Sequence, residues 1–150
     1  MTKFASITDL AGAVGSHLGY SDWLEITQDR INTFAEATDD HQWIHVDPVL
    51  AASGPFGTTI AHGYLTLSLA VRFVAELFEV DGVAMGVNYG TNKVRFVSPV
   101  PVGSKLRAGA VVAGVDEIGG GVQVTLDLTF EVEGSEKPAC VAQVVYRMYA

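Results

Sequence analysis

Between Val122 and Glu133 apolar and polar residues alternate without a break, Val122, Val124, Leu126, Leu128, Phe130 and Val132 interleaving with Gln123, Thr125, Asp127, Thr129, Glu131 and Glu133. Successive side chains of a strand point to opposite faces, so this run predicts a strand with one face buried and the other wet. Gly119-Gly120-Gly121 supplies the turn before it, and residues 84–97, 105–115 and 138–149 carry further strand signals. Residues 64–78, YLTLSLAVRFVAELF, behave differently. They are apolar on nearly every side of a helical wheel, with only Arg72 and Glu76 charged, which predicts a helix enclosed on most of its surface.

Upstream, Leu10, Val14 and Leu18 recur at four-residue spacing before Gly19, the pattern of a short amphipathic helix over residues 6–18. A strand follows at residues 23–26. Thr27 then caps a second helix with Ile31, Phe34 and Ala35 on one face. Asp47-Pro48 reads as a cap and first turn, predicting one short helix over residues 48–52 that Ser53-Gly54-Pro55-Phe56-Gly57 breaks. Helices come first, then one greasy helix, then successive strands without βαβ alternation. That order predicts an α+β fold in which a curved antiparallel sheet wraps a long central α-helix. With no internal repeat, low-complexity tract or linker, residues 1–150 read as a single domain.

Composition narrows the function. A chain 49% hydrophobic and 17% charged is compact rather than disordered, and a formal charge of -8 works against binding nucleic acid or an anionic membrane. No stretch of about 20 apolar residues is present, and Asp9 interrupts any apolar leader, so the expectation is a cytoplasmic protein without membrane insertion. The single cysteine, Cys140, lies between Ala139 and Val141 and reads as a buried, inert thiol.

Chemistry concentrates in residues 39–48, DDHQWIHVDP. A metal would draw on His41 and His45 at helical i, i+4 spacing, with Asp40 or Asp47 as a third ligand. That needs a helix through Trp43-Ile44, which Pro48 opposes at Asp47, and neither an HExxH motif nor a second cysteine is present, so no metal is expected. A purely structural reading makes the segment a polar helix end with Asp47 as a cap and with Asp39 and His41 solvated. An acid/base reading has Asp40 and His45 converge on one substrate, histidine being suited because its ordinary pKa, about 6.5, lies near neutral pH. Gly63, after His62 at the start of the central helix, offers a backbone N–H for an enolate or thioester oxygen, or is an ordinary helix start.

The order and spacing of these pieces resemble the MaoC-like family of (R)-specific enoyl-thioester hydratases, hydratase 2. Its signature is close to Gly-Asp-x-Asn-Pro-Ile-His-x-Asp, followed by a His-Gly that opens the central helix. Here those pieces stand as Asp39-Asp40-His41-Gln42-Trp43-Ile44-His45-Val46-Asp47 and Ile60-Ala61-His62-Gly63, and residues 88–106, NYGTNKVRFVSPVPVGSKL, resemble the family's strand and Pro-Val-Pro-Val-Gly turn. The DDHQWIH form is similar to the nodulation-protein-N-like branch.

The resemblance implies a hot-dog fold, Asp40 and His45 as the catalytic pair, and Gly63 as oxyanion-hole donor. It further implies reversible addition of water to trans-2-enoyl thioesters in fatty acid metabolism, giving (R)-3-hydroxyacyl products, by a homodimer. No cofactor is implied beyond the coenzyme A or acyl-carrier thioester that the substrate itself carries. Asp39, Gln42 and Trp43 stand where the family has Gly, Asn and Pro; Gln42 keeps an amide for substrate contact, and Trp43 changes the loop. Some relatives use a serine on the central helix. Ser68 lies on that helix without a clear match and stays outside the catalytic set. Lys93, Arg95, Lys105 and Arg107 suggest one basic patch for phosphates, with Lys93 and Arg95 as substrate-binding candidates, or equally a pair of charged strand edges. A hot-dog thioesterase and a noncatalytic acyl-thioester-binding protein are the competing functions.

Overall fold

The computed structural model describes all residues 1–150. In chain order it runs β1 (Thr2–Phe4), a 3₁₀ turn (Asp9–Ala13), β2 (His17–Tyr20), β3 (Leu24–Glu25), α1 (Gln28–Thr38), α2 (Trp43–Val46), α3 (Pro48–Ala52), α4 (Gly63–Ser68), α5 (Ala70–Leu77), β4 (Phe78–Val80), β5 (Met85–Phe96), β6 (Lys105–Ile118), β7 (Gly121–Val132) and β8 (Cys140–Tyr149). One antiparallel sheet has the order β2-β6-β7-β8-β5, with β3 also on β6, and β1 pairs in parallel with β4. No helix is long and apolar enough to cross a membrane.

The alternation over residues 122–130 is realised as read, Val122, Val124, Leu126, Leu128 and Phe130 being buried and the residues between them not. Thr27 caps α1 by accepting the Arg30 N–H, and Asp47 caps α3 by accepting from Leu50 N at 3.0 Å. The amphipathic helix expected over residues 6–18 does not form. Only Asp9–Ala13 coils, Gly15 and Gly19 take φ of +85° and +92°, and the chain between them pairs with β6, His17 opposite Val111 and Tyr20 opposite Gly109. Glycines at left-handed φ end the helix cheaply, and sheet pairing then wins over a weak helical period. Leu10 is buried while Val14 is half exposed, so the three spaced residues do not share a face.

The central helix is interrupted at one residue where a single long helix was expected. Leu69, with ψ of -9°, separates α4 from α5 although Leu69 N and Phe73 N keep their bonds to Leu65 O and Leu69 O. One turn earlier the Ser68 hydroxyl donates to the Tyr64 carbonyl at 2.7 Å, a back-bond that bends helices. Phe78 is extended and starts β4, so the helix also stops one residue early.

Helix and sheet meet in one core. Phe73 and Phe130 pack edge to face at 6.2 Å between ring centroids, with Leu77, Leu106, Leu126 and Val112 around them, all enclosed. β5 pairs on one side only, with β8, and its outer edge is free. Cutting the central pair should show its weight: Phe73→Ala is expected to lower stability by about 3–5 kcal/mol, read as the shift of the urea unfolding midpoint.

Candidate active site

Residues 39–47 are anchored from three sides. Asp39 ends α1 at φ of +59°, a left-handed conformation that Asp tolerates, so the substitution of the family's glycine is accommodated. α2 is a single turn that places the His45 ring inward. Ile60 N donates to Ile44 O at 3.0 Å, Ala61 N to Val100 O and Val102 N to Thr59 O, which ties this loop through residues 59–61 to the Pro-Val-Pro-Val-Gly turn. Gln28, in the first turn of α1, donates to the His45 carbonyl at 2.8 Å and accepts the Thr59 hydroxyl at 2.6 Å.

These anchors decide where protons sit. His45 Nδ1 lies 2.7 Å from the Ile60 carbonyl, and a carbonyl only accepts, so Nδ1 carries the hydrogen and Nε2 presents a lone pair. Burial pushes the His45 pKa below the ordinary 6.5; the Ile60 hydrogen bond opposes this, neighbouring His62 adds to it, and Asp40 opposes it. A neutral imidazole with a free Nε2 is a base in waiting. His62 stacks on the His45 ring at 3.9 Å and 24°, and its Nε2–H donates to the Asp40 backbone carbonyl at 2.9 Å, leaving Nδ1 buried without a partner.

Asp40, His45 and His62 bring one ligand atom each within 4.8 Å of the others. His62, rather than His41, is therefore the histidine that joins the pair; His41 is solvent-exposed, 3.6 Å from Glu36. The three side chains are of types that hold a cation. Yet nearly parallel imidazoles direct their in-plane lone pairs along parallel planes, which is poor geometry for converging on one ion, whereas a proton relay needs no such convergence.

Gly63 lies beside this group, and its N–H makes no hydrogen bond within the chain. A Cβ at Gly63 would come within 3.0 Å of the Phe96 ring, so the glycine admits an aromatic side chain as well as leaving the amide open. Beside it is a cavity of about 210 Å³ lined by Ile60, Ala61, Gly63, Thr66, Phe96 and Ala139 among others. Trp43 is not among the lining residues: it packs on Gly54, where a Cβ would meet its ring at 2.8 Å. The Gln42 side-chain amide is exposed and unbonded, while its backbone N–H reaches Asp40 Oδ1 at 3.4 Å.

The expected single basic patch is not formed. Lys93 and Arg95 lie on β5, Lys105 and Arg107 on β6, with β7 and β8 between, and Arg107 is held by Glu131 at 2.9 Å and by the rings of Tyr20 and Trp23. Val94 and Phe96 face the helix, so alternation turns Lys93 and Arg95 to the outer face, away from Gly63. Ser68 is bonded back to Tyr64 but is exposed. Cys140 is buried, its thiol pushed up to about 11 by burial, as an inert core residue should be. Sequence reasoning missed the stacking role of His62 and missed Gln28, Thr66 and Phe96 entirely; only the His62-Gly63 pair carried a local signal.

An antiparallel sheet wrapped on a central helix defines the hot-dog class of α+β proteins. Residues 9–133 match the MaoC like domain family, and the chain belongs to it. It is 56% identical over 151 residues to 3-hydroxyacyl-thioester dehydratase Z of Mycobacterium tuberculosis, covering 100% of both chains. It is 43% identical over 141 residues to nodulation protein N of Rhizobium leguminosarum bv. viciae, covering 91% of this chain and 87% of that protein. The unliganded R-hydratase PhaJ1 of Pseudomonas aeruginosa superposes with a TM-score of 0.78 at 20% identity, over 97% of this chain and 86% of that one, and so shares the fold.

The lowered His45 pKa fixes a sign for pH dependence. At its ordinary 6.5 the unfolded chain takes up the proton more readily than the native site, so the stabilisation from neutral His45 is complete above that value and lost as pH falls through the native one. The unfolding free energies of wild-type and His45→Gln are expected to converge as pH falls below the ordinary histidine value of about 6.5. A gap that widens on acidification would reverse the assignment.

Proposed function

We propose that this protein is a hydro-lyase, an (R)-specific enoyl-thioester hydratase and 3-hydroxyacyl-thioester dehydratase, with Asp40 and His45 as its catalytic pair. The observation that carries the reading is the gap between them. Ligand atoms of Asp40 and His45 lie within 4.8 Å of each other, and one water can hydrogen-bond to both, since each such bond spans about 2.8 Å. The relationship to a named 3-hydroxyacyl-thioester dehydratase over the full chain supports the same chemistry.

In the hydration direction the pair polarises that water. As an O–H bond breaks toward the pair, the oxygen attacks C3 of the enoyl thioester, and electron density moves through C2 onto the thioester oxygen. The Gly63 N–H, unbonded within the chain on a residue that lines the cavity, is free to donate a hydrogen bond to that oxygen. The enolate then collapses, taking a proton at C2 from the pair, and the 3-hydroxyacyl thioester leaves. His45 suits the base role because Nδ1 is committed to Ile60 and Nε2 alone can turn over protons. Dehydration runs the same steps backwards. The chain's own side chains supply all the proton transfers, so the reaction calls for no cofactor beyond the substrate's carrier.

The protein works as a homodimer in this reading, in the cytoplasm where soluble carrier thioesters are met. The dimer is supported by the free edge of β5, whose Met85 and Tyr89 are exposed, by the exposed Tyr64 and Val71 of the central helix, and by a mean hydropathy of +0.29. Unpaired strand edges with apolar side chains are stable when another strand covers them. Light scattering at micromolar concentration should give twice the 15.9 kDa chain mass, and a mass of one chain would refute the dimer.

Activity is tested with crotonyl-CoA by loss of the conjugated thioester absorbance. Wild-type protein should form the (R)-3-hydroxy product without releasing thiol, and Asp40→Asn and His45→Gln, if folded, should each lose about 10²–10⁴-fold in kcat. Free thiol would identify a thioesterase. Binding without turnover, unchanged by His45→Gln, would identify a noncatalytic thioester-binding protein.

A further inference from the structure

Thr66 is 3% exposed, and its hydroxyl forms no hydrogen bond within the chain; unlike His62 Nδ1 it is not wholly enclosed, and the surface it keeps belongs to a residue that lines the cavity. The other helical hydroxyls show what is ordinary: Thr33 donates to Asp29 O at 2.8 Å, Thr38 to Phe34 O at 2.8 Å and Ser68 to Tyr64 O at 2.7 Å, each four residues back. The equivalent acceptor for Thr66 is the His62 carbonyl, which already receives Leu65 N at 3.1 Å and Thr66 N at 3.2 Å. Both lone pairs of that oxygen are taken. The other buried hydroxyls, Thr59 and Ser21, have partners, Gln28 and the Asp22 carbonyl.

Folding gives this hydroxyl no partner, so an apolar side chain of the same shape would serve the fold as well. Thr66 lines the same cavity as Gly63. Residues three apart on a helix are neighbours on one face, which sets the Thr66 hydroxyl alongside the free Gly63 N–H. Apolar Ile60, Ala61, Phe96, Val100 and Ala139 form most of the remaining wall. A ligand polar atom entering this cavity meets two residues with unspent donors, neighbours on one helix face, in a mostly apolar wall.

We propose that the Thr66 hydroxyl is a second hydrogen-bond donor to the thioester carbonyl oxygen, acting beside the Gly63 N–H as that oxygen becomes negative. This assignment rests on the enoyl-thioester reading of the site. It makes Thr66 a catalytic residue, since it touches the reacting group, and it accounts for why the helix keeps a threonine where valine would pack equally well.

The experiment compares wild-type, Thr66→Val and Thr66→Ser with crotonyl-CoA, reading kcat, KM, the thermal midpoint and the infrared thioester carbonyl band of the bound substrate. Valine keeps the shape and removes the hydroxyl. Thr66→Val should unfold at the wild-type temperature or above, lose about 10²-fold in kcat with KM nearly unchanged, and move the carbonyl band toward its position in free substrate. Thr66→Ser should retain most of the rate and the wild-type band. If wild-type binds without turnover but its band is displaced in a Thr66-dependent way, the carbonyl contact stands and the hydratase reading falls. If the band is the same in wild-type and Thr66→Val, or wild-type does not displace it, the assignment is overturned whatever the rates.

Discussion

The hydrogen bond from His45 Nδ1–H to the Ile60 carbonyl is the constraint on which the site depends. A single buried bond of this kind contributes only about 1 kcal/mol to stability, but it selects one of two histidine tautomers and aims the basic nitrogen. It works in tandem with the backbone bond from Ile60 N to Ile44 O, so the two segments clasp each other in both directions. Ile60 in turn bridges to Pro101, and the adjacent Ala61 leads directly into His62 and Gly63. Loop, turn and helix start are therefore positioned as one piece.

Around that clasp the environments of the acid/base groups differ sharply. His45 and His62 are almost fully enclosed, while the Asp40 side chain is about half exposed. Burial keeps His45 neutral, and the Asp40 main chain holds His62 through its carbonyl while its side chain stays near water. A buried imidazole beside a wetter carboxyl puts two titratable groups in unlike surroundings, the arrangement that the proposed hydratase chemistry calls for. Phe34 closes the far side of His62 at 4.9 Å, which keeps the stack dry without offering it another polar partner.

Rigidity for this arrangement comes from the sheet and the central helix. β6, β7 and β8 form the long continuous ladder, and the enclosed faces of β7 and α5 interlock through Phe73 and Phe130. The interruption at Leu69 separates two tasks within one helical run: α4 carries Gly63 and Thr66 to the cavity wall, and α5 fills the core with Phe73, Val74 and Leu77. A strained or mobile site would lose the alignment on which differential stabilisation of a transition state depends.

Strictly local features were legible from residues alone. The alternation of β7, the Thr27 and Asp47 caps and the buried stripe of Leu65, Leu69, Phe73 and Leu77 follow from periods of two and 3.6 and from capping chemistry, which need no distant partner. The enclosure expected around most of the central helix does not hold, because Tyr64, Ser68, Val71, Arg72 and Ala75 form an exposed stripe. The motif resemblance likewise drew attention to Asp40, His45 and Gly63, and the chain does bring them to one place. What the sequence alone left undecided was every feature requiring two remote segments. The pattern over residues 6–18 favoured a helix until β6, nearly a hundred residues on, offered a pairing edge. Lys93 and Lys105 looked adjacent along the chain, and strand order put two strands between them. The stacking of His62 on His45, the Gln28 brace and the Phe96 ring over Gly63 have no periodicity to announce them, because they arise from where loops cross after the sheet has set its register.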